Sequence, residues 1–133
     1  VPDLVEIIRV DLETGSRTVL SDNQEIFGVP LVQANHIALD AQRGRVLIND
    51  FNGAWDSADS NNSVVMVMDP ETGVRTILSD FQTPNGFNVM QFGSGFYYDG
   101  KSDYALVADG RRGAIVAMDV INGQRVIISK SAN

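Results

Sequence analysis

One stretch of this 133-residue chain gathers oxygen donors around a single indole: Asn49-Asp50-Phe51-Asn52-Gly53-Ala54-Trp55-Asp56-Ser57-Ala58-Asp59-Ser60-Asn61-Asn62. Carboxylates and amides are the ligands a hard cation such as calcium takes, so Asp50, Asp56, Asp59 and Asn61 form a candidate set. Their spacing is not that of an EF-hand, which needs ligands at alternate positions and a closing Glu. A solvated surface loop is the preferred reading. Trp55, the only Trp, stands in this polar setting with Phe51 before it. Aromatic side chains concentrate at binding hot spots, which makes both candidate ligand contacts. His36 is the one His, and with no Cys in the chain any Ser–His–acid arrangement would have to use it. No Gly-x-Ser-x-Gly elbow is present, and Gly93-Ser94-Gly95 lacks the spacing. His36 is therefore read as a structural or ligand-facing residue, and no catalytic residue is assigned.

Composition narrows the partners. The formal net charge is −7, with 10 basic and 17 acidic residues, which disfavours a nucleic-acid backbone or an anionic membrane as partner. Without Cys there are no disulfides, thiolate nucleophiles or Cys-based zinc sites. No stretch reaches the ~20 apolar residues of a membrane-spanning helix. At 44% apolar residues, the chain has material for one sizeable core.

The elements that must position these residues come from a repeat. Ile7 to Asp22 reads IIRVDLETGSRTVLSD, Val65 to Asp80 reads VMVMDPETGVRTILSD, and Ile115 to Ser129 reads IVAMDVINGQRVIIS. Self-similarity on this scale marks a repeat architecture. Each copy is an apolar run too short for a helix, an Asp-x-x-(Thr/Asn)-Gly turn, and a second run opened by Arg17, Arg75 or Arg125. The Asp caps the turn and the Gly supplies the positive φ that closes it. Three hairpins follow. Inner hairpins precede the second and third copies: His36–Asp40 with Arg45–Asp50, and Gly95–Asp99 with Tyr104–Asp109. The Asp and Arg of each outer hairpin are read as hairpin-stabilising surface groups.

The expectation is an all-β chain: a β-propeller segment of four-stranded antiparallel blades forming an incomplete ring. Residues 1–22 would be the outer half of one blade, 36–80 a full blade and 95–130 another. Blades stack face to face, so Val64–Met68 and Tyr104–Ala108 are expected to bury both faces and lose strict alternation. With its first blade cut, the chain reads as a piece of a longer protein or as a subunit pairing through exposed blade faces.

The strand and turn residues, including Arg17 to Asp22 and Arg75 to Asp80 with Thr83-Pro84-Asn85, resemble the NHL-like and gluconolactonase-like six-bladed propellers. They resemble still more the tandem-repeat propeller proteins of bacterial envelopes. The resemblance implies a periplasmic or extracellular location. It also implies, as the alternative function, a calcium-dependent lactonase-like hydrolase with the ion at the channel mouth. Asn35 is the residue best placed to serve it, beside Asp50, Asp56 and Asp59. Asn85 lies in a long connection ahead of its inner strand and reads as a β-turn on the ligand-facing side. The preferred function is a non-catalytic segment whose loop face, with Trp55, Phe51, Asn85 and His36, binds a protein, glycan or small molecule; no cofactor is required.

Overall fold

The computed structural model describes residues 5–51, 63–80, 93–110 and 112–132. Among the described residues the regular structure is β throughout, apart from one 3-10 turn at Glu25–Phe27. The strands are β1 (Ile7–Val10), β2 (Arg17–Ser21), β3 (Ala34–Asp40), β4 (Arg45–Phe51), β5 (Ser63–Met68), β6 (Arg75–Ser79), β7 (Gly93–Tyr97), β8 (Tyr104–Asp109), β9 (Ala114–Asp119) and β10 (Arg125–Lys130). They make a two-stranded sheet, β1-β2, and two four-stranded sheets, β3-β4-β5-β6 and β7-β8-β9-β10. Every pairing between strands is antiparallel, each strand lies beside its sequence neighbour, and no sheet closes on itself.

The outer hairpins are built alike because their turns are. Asp11 Oδ1 accepts from the amides of Glu13 and Thr14 at 2.9 and 2.8 Å, and the Gly15 amide closes onto Asp11 O at 2.8 Å. Asp69 and Gly73, then Asp119 and Gly123, repeat the arrangement. Their glycines sit at φ 73°, 75° and 77°, a region that excludes a Cβ without strain. A register shift recurs near the same point of each outer pair: at Ile7/Ile8, at Val65/Met66 and at Ile127/Ser129.

The sheets stack. One apolar cluster joins Ile7 of the first sheet and Leu31 to Ile48, Val64, Met66 and Met68 of the middle sheet. A second joins Leu47, Val65 and Leu78, on the other face of the middle sheet, to Tyr98, Ala105, Val107, Val116 and Met118 of the third. Adjacent residues such as Leu47 and Ile48 therefore bury into different clusters, and β4 and β5 lose alternation as expected. Tyr104 to Ala108 does not: β8 alternates exposed and buried, and so does β9. The third sheet packs on one face only, so the period of two returns. In β1, likewise, Ile7 is buried whereas Ile8, Arg9 and Val10 are exposed.

Gly73 and Gly15 separate turn strain from packing. A Cβ at Gly73 would lie 2.0 Å from Leu20 O in the first sheet, whereas one at Gly15 would meet nothing. Gly15→Ala should cost about 1–2 kcal/mol for its backbone region alone, and Gly73→Ala about 1–3 kcal/mol more. Urea unfolding measures both; equal losses would mean that the sheets do not meet at Gly73.

Candidate functional site

The polar groups that recur in each copy meet between the sheets. Arg75 opens β6 and is 1% exposed. Its guanidinium crosses to the first sheet and the segment after it, donating to Val29 O at 2.8 Å, to Asp22 O at 2.8 Å and to Ser21 Oγ. Ser21 Oγ in turn donates to Gly73 O at 2.6 Å. One sheet later the contact is rebuilt: Arg125, 6% exposed, donates to Ser79 Oγ at 2.5 Å and to Asp80 O, and Ser79 Oγ donates to Gly123 O at 2.8 Å. Two of the three Asp/Arg pairs expected on the surface thus carry their Arg inward. A planar, weakly hydrated guanidinium with five donors can be buried against carbonyls where an ammonium would stay wet. Burial depresses the pKa of both arginines, opposed at Arg75 by the carboxylates of Asp22 and Asp50 and at Arg125 by Asp80. At the two ends of the stack the same residues are exposed: Gly15 and Arg17 in the first sheet, Ser129 and Lys130 in the third.

Removing the Arg75 side chain leaves Val29 O and Asp22 O without their donors, each a loss of about 1–3 kcal/mol. Arg75→Leu is expected to destabilise by about 2–5 kcal/mol, and Arg17→Leu by no more than about 0.5 kcal/mol. Chemical denaturation of the two variants checks the latch; similar losses would refute it.

A second polar knot ties the turns of the middle and third sheets. Asp40, fully buried, accepts from Arg45 Nε at 2.8 Å, from Arg43 at 3.3 Å and from the Tyr98 hydroxyl at 3.2 Å. Arg43 also pairs with Asp103 at 2.8 Å, and Arg45 donates to Val120 O. Burial is the largest single influence on Asp40 and pushes its pKa up, but the bonds from Arg45 and Tyr98 and the two positive charges together bring it below the ordinary value. Its contribution to stability is complete above the unfolded carboxyl pKa, about 3.9, and disappears as pH falls through the lower folded value. Asp40→Asn should weaken the fold at pH 7 and flatten the stability profile below about pH 4. An unchanged acid limb in pH-dependent denaturation would contradict this.

The candidate ligand residues are only partly assembled. Trp55, Asp56, Asp59, Asn61 and Asn85 lie outside the described residues. Asn35 and His36 stand on β3 beside an open cavity of about 270 Å³, whose wall includes Val5, Ile7, Ala34 and Ile48. His36 Nδ1 is buried there with no hydrogen-bond partner. Asp50 stands opposite Ala34 in the ladder, and its two oxygens accept from the amides of Val32 and Gln33 at 3.0 and 3.3 Å. The carboxylate thereby holds the entry to β3, with its pKa raised by burial against the pull of those amides. Phe51 is buried, and its amide donates to Gln33 O at 3.0 Å. Among the described residues no three His, Cys, Asp or Glu side chains are grouped as a metal site, and no helix is long and apolar enough to cross a membrane.

Sequence reasoning missed the latch, although its signal was present. Ser and Gly recur with Arg in the copies, and a hairpin alone gives no reason for the Ser. It also missed that Ile37 and Leu39 of β3 stand in solvent.

No family model matches the chain. The chain is similar to dipeptidyl aminopeptidase BIII of Pseudoxanthomonas mexicana, with 29% identity over 134 residues. The match takes in 96% of this chain and 16% of that protein.

Proposed function

We propose that this chain is a run of propeller blades that presents loops for binding and holds no catalytic centre of its own. The latch carries the reading. The recurring Arg, Ser and Gly groups engage one another between successive sheets, with the same polarity at both boundaries. Polar residues so engaged are structural, which leaves binding to the residues that do not recur. In this reading the sheets fan about an axis lined by β3 and β7. The connections 23–33, 52–62 and 81–92 then form the presenting face, with a protein, glycan or small molecule as ligand. The first of them is pinned from within: Asn23 donates to Leu31 O and accepts from the Leu31 amide, both at 2.7 Å.

The likeness to a dipeptidyl aminopeptidase favours a more particular setting, in which blades like these accompany a peptide-cleaving part and the ligand is a peptide. The chain should release no product from dipeptidyl-p-nitroanilide substrates. It should bind fluorescent peptides with an affinity that falls at least about tenfold in Trp55→Ala, as for an aromatic hot spot. Turnover by the chain alone would overturn the non-catalytic reading. The alternative, a calcium-dependent lactonase-like hydrolase using Asn35, Asp50, Asp56 and Asp59, predicts a saturable rise in Tm with calcium. No shift at millimolar calcium removes it.

A further inference from the structure

The first sheet has two strands where the others have four, and two unsatisfied surfaces stand side by side as a result. Among the described residues β1 pairs with β2 alone, so its other edge presents backbone donors and acceptors to solvent. Next to that edge, Ile37 and Leu39 of β3 are 58% and 63% exposed. The repeat aligns these two with Phe96 and Tyr98 of the third sheet. There the environment differs: Phe96 packs against the core cluster, and Tyr98 is 9% exposed with its hydroxyl on Asp40. The difference lies in what stands opposite. Ala38 and Leu47 of the β3–β4 hairpin belong to the cluster holding Phe96 and Tyr98. No described hairpin does the same for Ile37 and Leu39. The cavity beside β1, with the orphaned Nδ1 of His36 in its wall, lies in the gap.

We infer that this slot is an acceptor for an added β-hairpin with the chemistry of the chain's own β3–β4 hairpin. Such a hairpin has a first strand with a small apolar residue and a closing Asp, and an aliphatic second strand that pairs antiparallel with β1. The argument is continuity with an interface the molecule already contains. The middle sheet is bordered on its other face by a complete four-stranded sheet, and the same alternation of apolar residues runs out uncovered at Ile37 and Leu39. Edge bonding would supply affinity, and the pockets for alternate side chains would supply selection. Register follows from the repeat. Ile7, Ile8 and Arg9 stand where the middle sheet has Val65, Met66 and Val67, which pair with Asn49, Ile48 and Leu47. An incoming second strand of that sequence would set its Asn, Ile and Leu opposite Ile7, Ile8 and Arg9. The inference rests on the blade-stacking reading.

The probe is a synthetic peptide of this chain's own hairpin, HIALDAQRGRVLIND, titrated into the full chain. Saturable binding is expected, with Tm raised by about 3–7 °C at ten times Kd and with slowed amide exchange confined to β1 and β3. A chain carrying Ile37→Lys and Leu39→Lys replaces two side chains already in solvent. It should keep its melting temperature and lose at least about tenfold in affinity. The idea is overturned if the peptide does not bind, if a scrambled peptide binds as well, or if the lysine variant binds unchanged. It is also overturned if light scattering shows self-association that the peptide cannot displace, because a second copy is then the occupant. Failure here is separable from failure of the scaffold reading, which turns on Arg75→Leu and on turnover, neither involving the slot.

Discussion

A guanidinium buried at a sheet boundary sets the architecture of this chain. Arg75 and Arg125 each reach out of their own sheet to a carbonyl and a hydroxyl of the preceding segment. Apolar burial alone would let two twisted sheets slide, because the hydrophobic effect has no direction. Hydrogen bonds from a planar group to fixed carbonyls do have one, and a mispaired alternative would leave a buried charge without partners. Stack order and sheet-to-sheet register thus follow from the same few atoms. The close approach of Gly73 to Leu20 O shows how little slack the boundary holds.

Position within the stack then decides how each strand is patterned. β4 and β5 are covered on both faces and have no polar side, whereas β8 and β9 keep the ordinary alternation because a single face is covered. The first sheet has too little surface to shelter much more than Ile7. The same motif, folded into the same hairpin, is therefore core in one place and surface in another. Arg17 and Arg75 make the contrast plain: identical turns precede them, yet one is solvated and the other almost wholly buried.

Much of this was legible from residue order. Short apolar runs between Asp-x-x-(Thr/Asn)-Gly turns gave the strands and their antiparallel pairing, since turn chemistry is local and written in neighbouring residues. Strand limits moved by a residue or two: β3 begins at Ala34 and not His36, and β7 ends at Tyr97 and not Asp99. The fate of Arg75 was not legible, because Asp, Gly and Arg explain a hairpin without any reference to another sheet. Nor was the one-sided burial of Tyr104 to Ala108, which depends on what lies beyond the third sheet. The candidate site was least legible. Asp50 looked like a cation ligand by type, but its oxygens are engaged by Val32 and Gln33 amides, a role set by a connection folding back on β4.

Stacking with contacts mainly between neighbours has a consequence for how the molecule comes apart. In such a linear array, stability is a sum of unit terms and boundary terms. The middle sheet belongs to two boundaries, whereas each flanking sheet belongs to one. The two-stranded sheet, with the smallest intrinsic term, is the segment that frays first under mild denaturant. Loss of the third sheet comes next, and β4 with β5 persists until global unfolding. Cooperativity in this chain is thus graded outward from its centre.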